Sequence, residues 1–172
     1  MAAASSVLTL EHTDQRDVRR LLTSAVVVFF CDLTFAMVLS TVARHQFVSP
    51  GRVFQGIAVG LLGKSSLDGG VPTMVLGAVL HFTIALTWST VYLIAWRRSE
   101  ALQRLTATVG GTIVVGLAFG EFIWLFMRLI VMELSRIQTG SLNSWIFWVQ
   151  VAIHPIVVGI PIAFLVGRRQ RV

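Results

Sequence analysis

Four ionisable residues, Asp32, His81, Glu121 and His154, lie deep inside long apolar stretches of this 172-residue chain. Two carboxylates and two imidazoles can pass protons or ions, and they also form a ligand set that suits zinc, iron or manganese. A structural role is a third interpretation, since contacts among them would satisfy buried polar groups and set the helix order. A group that can carry charge is costly in hydrocarbon, so we expect each of the four to have a partner or a task.

The stretches that hold these residues are long enough to cross a membrane. About 20 apolar residues span the roughly 30 Å hydrocarbon core as a helix. Composition agrees, because 55% of the chain is hydrophobic and only 13% is charged, against about a quarter in soluble domains. The sequence predicts an all-α fold, a four-helix transmembrane bundle in a single domain 1–172. Its spans are predicted at residues 21–42, 71–96, 106–131 and 145–166, after a disordered or interfacial arm at residues 1–15.

The four ionisable residues are predicted to lie at similar depths. Counted from the helix ends that we assign to the cytoplasm, they lie 11, 15, 15 and 12 residues into their spans. At 1.5 Å per residue, these depths fall within a layer about 6 Å thick near mid-membrane. We predict that the side chains point inward and meet there, with support from two further polar side chains on the same faces, Arg128 and Gln150.

The basic residues predict the orientation. With the N-terminus inside, nine arginines lie on the cytoplasmic side: Arg16, Arg19, Arg20, Arg97, Arg98, Arg104, Arg168, Arg169 and Arg171. Five basic residues lie on the other side: Arg44, Arg52, Lys64, Arg128 and Arg136. Because the cytoplasmic flanks of membrane proteins carry an excess of Lys and Arg, this distribution predicts that both termini are cytoplasmic.

A short apolar segment, residues 53–63, lies between the first two spans. Eleven helical residues rise only about 16 Å, so this segment is too short to cross. Gly56, Gly60 and Gly63 share one of its faces and allow another backbone to approach closely. We favour an interfacial helix on the outer end of the bundle, and a re-entrant half-helix that lines a cavity is the alternative.

Small residues predict close helix contacts in the third and fourth spans. Gly116 and Gly120 are four residues apart, as are Gly159 and Ala163, and this spacing lets two backbones approach. We expect these contacts within one chain; a homo-oligomer or a membrane-protein partner is the alternative. Two prolines are predicted to bend the fourth span, Pro155 and Pro161.

The sequence lacks the common motifs of soluble enzymes. There is no phosphate-binding glycine loop, no nucleophile elbow and no His-Glu-x-x-His helix. The basic residues form no patch with interleaved aromatic residues, so no nucleic-acid partner is predicted. The single cysteine, Cys31, cannot form an intramolecular disulfide. No cofactor is predicted, a metal at the four ionisable residues stays open, and the chain is not expected to be an enzyme.

One segment resembles a known family. The run from Arg52 to Gly63 reads RVFQGIAVGLLG, and it is followed by Gly69-Gly70, Gly77-Ala78 and Leu80-His81-Phe82. This pattern, RxFQxIAxGLLG…GG…HF, is similar to that of a family of small bacterial inner-membrane proteins with four spans. The resemblance implies the four-span fold and an inner-membrane location. It implies no activity, and no catalytic residue is carried over from it.

Two functional hypotheses follow from the sequence. In the first, the chain is a structural, binding or accessory membrane protein whose polar layer holds the helices together. In the second, Asp32, His81, Glu121 and His154 handle protons or ions in a small transporter or channel-like protein. A metal-dependent membrane enzyme ranks third. The lipid bilayer is the one partner that all three hypotheses share.

Overall fold

The computed structural model describes residues 2–137 and 144–167, with side chains described from residue 15 onward. No strand occurs among these residues. Four helices are long and apolar enough to cross a membrane, and we number them spans 1 to 4: Gln15–Arg44, Gly70–Arg98, Val109–Leu134 and Trp145–Val166. The predicted all-α, four-helix transmembrane fold is confirmed.

The helices follow one another with short connections. They are α1 (Ala2–Arg44), α2 (Pro50–Leu62), α3 (Gly70–Arg98), α4 (Glu100–Leu105), α5 (Val109–Phe126), α6 (Met132–Leu134), α7 (Trp145–His154) and α8 (Ile160–Val166). A 3₁₀ turn at Lys64–Asp68 follows α2, and π-helical turns join α5 to α6 at Met127–Val131 and α7 to α8 at Pro155–Gly159. Helix α4 and the 3₁₀ turn were not predicted.

Side-chain caps explain where several helices begin. Ser49, Ser99, Thr108 and Ser144 each have extended backbone, and each side-chain oxygen accepts a hydrogen bond from an amide in the first turn. These caps satisfy amides that have no partner within the helix. Helix α1 has no capping residue where span 1 begins. It is helical from Ala2, through the residues for which a disordered or interfacial arm was predicted. Residues 2–44 contain neither Gly nor Pro, so nothing in the backbone interrupts the helix.

The four spans form a closed ring of neighbours. Span 1 packs between spans 2 and 4, and span 3 packs on span 4. Aromatic rings join span 2 to span 3, where Trp88 and Tyr92 contact Phe119 edge to face. Exposed apolar side chains cover the outside of the bundle, such as Val71, Val75 and Val79 on span 2. This surface fits contact with lipid tails.

Glycines bring spans 3 and 4 into backbone contact, as their spacing predicts. A Cβ on Gly159 would lie 2.0 Å from the carbonyl oxygen of Gly116, and a Cβ on Gly120 would lie 2.6 Å from Cα of Pro155. Ala163 is fully buried in the same core. In α2 the prediction fails at Gly56, where a Cβ would meet open space. Gly60 makes only ordinary van der Waals contacts, and Gly63, which caps the end of α2, has a positive φ of 75° that suits a turn.

Candidate functional site

A cavity of about 420 Å³ lies between all four spans and α2. It extends from Val28, Trp88 and Val158 in the middle of the bundle to Ile57 and Gly60 of α2. Most of its wall is apolar. Five polar or charged side chains that were singled out from the sequence also line it: Asp32, His81, Arg128, Gln150 and His154. Two serines, Ser40 and Ser135, line it as well.

His81 is buried and held in place by span 1. Its Nε2 lies 3.2 Å from the backbone oxygen of Phe29 and 3.9 Å from Oδ2 of Asp32. A carbonyl oxygen can only accept a hydrogen bond, so Nε2 carries the proton in this contact and Nδ1 is the acceptor of the neutral ring. The rings of Phe29 and Phe54 pack against the imidazole, with centroids 5.0 and 6.3 Å away.

His154 contributes a second imidazole to the same cavity. It is the last residue of α7, immediately before the π-helical turn that begins at Pro155. Its Nδ1 is buried and has no hydrogen-bond partner among residues 15–137 and 144–167, and the Gly120 backbone is close enough to interact with the ring. Asp32, across the cavity, is close enough for an electrostatic interaction with this ring. Asp32, His81 and His154 are therefore brought together at mid-span.

Glu121 is not part of this group. It does not line the cavity, its side chain is partly exposed, and its neighbours one turn away, Leu117 and Leu125, are exposed on the outside of the bundle. The predicted quartet is a trio in the structure. Arg128 lines the cavity, and its Nη1 lies 3.7 Å from Oε1 of Glu133, near the α2 end of span 3.

The trio does not form a metal site of the usual kind. Among the described side chains, no three His, Cys, Asp or Glu residues are grouped so that they could hold a metal ion. Cys31 is next to Asp32 in the sequence but does not line the cavity. The geometry offers a carboxylate and two imidazoles to a ligand with hydrogen-bond donors.

Helix α2 closes one end of the cavity. It packs on α3 so closely that a Cβ on Gly77 would lie 1.9 Å from the carbonyl oxygen of Phe54. Gly77 is seven residues into α3, about 10 Å below its start. Near the C-terminal end of α2, the Gly60 carbonyl accepts a hydrogen bond from the Arg136 amide at 3.2 Å. The helix therefore bridges spans 2 and 3 and forms a wall of the cavity.

Helix α2 is held in place by a network of hydrogen bonds that was not predicted from the sequence. The Ser66 hydroxyl donates to the Gln55 carbonyl at 2.9 Å, and the Thr73 hydroxyl donates to the Ser66 carbonyl at 2.8 Å. Arg52 donates to the carbonyl of Leu67 at 2.5 Å. A signal was present, because Gln55 is a lone amide in an apolar helix. Such a group needs partners when it is buried.

The opposite end of the bundle, where span 1 begins and span 4 ends, is closed by a packed core. Ala25, Tyr92, Leu93, Ile162 and Val166 are buried there. The hydroxyls of Ser24 and Ser89 form a hydrogen bond 2.9 Å long and are fully buried. The cavity does not continue through this core.

A buried carboxylate lies at the edge of that closed end. Asp17 pairs with Arg97, and its Oδ1 lies 3.7 Å from Nη1 of Arg20. The pair joins the start of span 1 to the end of span 2. It was not predicted, because it depends on which helix ends meet. Arg168, Arg169 and Arg171, assigned from the sequence to the same end, lie outside the described residues.

Comparisons with known proteins identified no relative of this chain. No protein-family model, no curated protein and no solved structure matches the chain.

Proposed function

We propose that this protein is a membrane binding protein that holds a small, mainly apolar molecule carrying an amine in the cavity between its spans. The observation that carries the proposal is a cavity of about 420 Å³ with an acceptor-rich centre. Binding pockets for small molecules are concave, mostly apolar, and about 300–1,000 Å³ in volume, with a few polar groups that orient the ligand.

The polar groups at the centre of the cavity favour an amine over an acid, since Arg128, the cation in its wall, lies 3.7 Å from Glu133 near the α2 end. Asp32 is the only carboxylate among the described residues that line the cavity. His81 donates its Nε2 proton to Phe29, so in the neutral ring the other nitrogen is an acceptor. His154 adds a second imidazole with a buried Nδ1, beside the backbone of Gly120. An ammonium group supplies a donor to Asp32 and offsets the charge of the carboxylate, beside two imidazoles that can accept when neutral.

Binding is better supported than transport across the bundle. Asp32, His81 and His154 share one cavity, which also suits exchange of a proton with the α2 side. A relay needs a path to the other side, however. The core around Ala25, Tyr92 and Ile162 is packed, and its polar groups do not form a chain: two serines bond to each other, and the buried Tyr92 hydroxyl has no hydrogen-bond partner among the described residues. Proton uptake without transfer is the second candidate.

Binding of dansylcadaverine, a fluorescent amine with an apolar ring system, tests the proposal. We expect saturable, blue-shifted emission from protein in nanodiscs. Ala36→Trp should lower the affinity at least tenfold, because Ala36 lines the cavity and the larger ring fills part of it. Ala95→Trp is the matched control, because Ala95 is exposed on the outside of span 2. Emission equal to that of empty nanodiscs, or equal affinity in Ala36→Trp, would refute binding in this cavity.

We further propose that the protein lies in the bacterial inner membrane with both termini in the cytoplasm. The four spans support a membrane location, and an even number returns the chain to the side where it began. The resemblance around residues 52–82 supports the inner membrane. The excess of arginine where span 1 begins and span 2 ends supports the orientation.

A further inference from the structure

Glu121 lies at the middle of span 3, on the outside of the bundle. It is 12 residues after Val109 and 13 before Leu134, the two ends of the span. One turn away on either side, Leu117 is 37% exposed and Leu125 is 42% exposed. The carboxyl group is therefore at mid-membrane depth but faces away from the cavity.

This position calls for a partner beyond the described residues. Among residues 15–137 and 144–167, no side chain or backbone group forms a hydrogen bond or ion pair with the Glu121 carboxyl. Ionisable groups in spans are costly when they face lipid and are almost always paired. A protonated carboxyl removes the charge but still has one donor and one acceptor to satisfy.

The surface around Glu121 is shaped for another helix. Gly110, Val114, Glu121 and Leu125 are spaced by four, seven and four residues, so they share one face of span 3. Val114 is 66% exposed, and a Cβ on Gly110 would meet open space. Gly116 and Gly120 face the other way, into span 4. Span 3 therefore has two packing faces, and span 4 covers only one.

We propose that a second copy of this chain covers the second face, which we call the Glu121 face. A protonated carboxyl is its own complement, because each of two such groups donates one hydrogen bond and accepts one. In a two-fold dimer the same residue meets itself at the axis, which is the arrangement that this pairing needs. The inference concerns the outside of the bundle and does not depend on the proposed ligand cavity.

Energy transfer between labelled copies in lipid vesicles tests the dimer. Each copy carries Glu100→Cys as the labelling site in a Cys31→Ala background, because Glu100 is exposed and far from the Glu121 face. We expect transfer that rises with the protein-to-lipid ratio. Glu121→Leu should weaken association about tenfold, since it removes two interhelical hydrogen bonds. Glu121→Gln should change it by less than about threefold, because paired amides also exchange donors and acceptors.

A second pair of variants guards against loss of folding. Val114→Trp places bulk on the Glu121 face and should weaken association, whereas Val79→Trp places the same bulk on the exposed face of span 2 and should not. The proposal is overturned by any of three results. These are transfer no greater than for non-interacting proteins, unchanged association in Glu121→Leu, or a Gln variant as weak as the Leu variant. The last result would indicate that an ionised Glu121 pairs with a cationic group and not with Glu121 of the second copy.

Discussion

At the scale of single residues, Asp32 is the centre of the proposed binding site. It faces the cavity with His81 beside it, and the 3.9 Å separation between Oδ2 and Nε2 leaves the carboxylate able to accept from a ligand. His81 is better satisfied, because its proton is donated to Phe29 and its ring is packed between two phenylalanines. We therefore assign Asp32 to ligand binding and His81 mainly to positioning.

Replacing Asp32 by Asn tests this assignment. The change keeps the shape but removes the charge, and hydrogen bonds to charged groups stabilise by about 1.5–3 kcal/mol against about 1 kcal/mol for neutral ones. We expect the dissociation constant of dansylcadaverine to rise about tenfold or more. The neutral N-acetylated probe should bind both proteins alike. An equal loss for the two probes would show that Asp32 shapes the cavity and does not pair with the amine.

At the scale of elements, the contact between α2 and α3 determines the shape of the cavity. Helix α2 is amphipathic and too short to cross, so its sequence is compatible with lying flat or re-entering. In the structure it is tied to the 3₁₀ turn and to α3 by Gln55, Ser66 and Thr73. Its apolar face then lines a cavity, which is the property that the re-entrant alternative anticipated.

Gly77→Ala and Gly56→Ala form a matched test of this packing. A Cβ on Gly77 would lie 1.9 Å from the Phe54 carbonyl oxygen, whereas one on Gly56 would meet open space. We expect Gly77→Ala to lower the free energy of unfolding by about 1–3 kcal/mol, the usual cost of overpacking. Gly56→Ala should raise it by about 0.5–1 kcal/mol through helix propensity. Denaturation in mixed micelles measures both, and equal effects would contradict the close α2–α3 contact.

Ser24 and Ser89 test the joint between spans 1 and 2. Their hydroxyls are fully buried and 2.9 Å apart. Each single change to Ala should cost about 1 kcal/mol, because it leaves one hydroxyl without a partner. The double change should cost clearly less than the sum, with a coupling of about 0.6–1.7 kcal/mol. Additive costs in a double-mutant cycle would mean that the two serines do not interact.

At the scale of the whole molecule, the proposed orientation rests on the distribution of arginines and on the even number of spans. The Asp17–Arg97 pair joins the start of span 1 to the end of span 2. Glu100 lies just beyond span 2 at this end, whereas Leu134 ends span 3 at the α2 end and is 85% exposed. The two positions therefore report on opposite sides of the membrane.

Thiol labelling checks the orientation in intact bacterial spheroplasts. In a Cys31→Ala background, a membrane-impermeant maleimide should label Leu134→Cys at once. It should label Glu100→Cys only after the membrane is opened, because the proposed orientation, which rests on the arginine excess, places that end in the cytoplasm. The reverse pattern would show that the proposed orientation is wrong. Labelling of both cysteines in intact spheroplasts would argue against four crossings.

Most of the fold was predictable because the bilayer imposes a simple rule. A segment that must satisfy its own backbone hydrogen bonds over about 30 Å has to be a long apolar helix, and such helices are visible in composition. The ends of span 4 match the prediction, Trp145–Val166. The π-helical turns at Met127 and Pro155 were not predictable, because they depend on how neighbouring helices pack.

The candidate site was predictable in depth but not in direction. Counting residues placed the four ionisable groups near mid-membrane, because helical rise is constant. Which way each side chain points depends on the rotation of its helix, and that is decided by contacts with its neighbours. On span 3, Gly116 and Gly120 turn toward span 4, and this rotation carries Glu121 to the outside. Gln150 and His154 were carried to the cavity by the same packing.

The sequence by itself determined the membrane class, the number of spans and the depth of their polar groups, since these depend on local hydrophobicity and a fixed helical rise. Only the tertiary structure decided that Asp32, His81 and His154 share a cavity while Glu121 lies outside it. Only the tertiary structure also made α2 a wall of that cavity. Both outcomes arise from close packing at glycines such as Gly77 and Gly159, where helix rotation is set by contacts between segments distant in sequence.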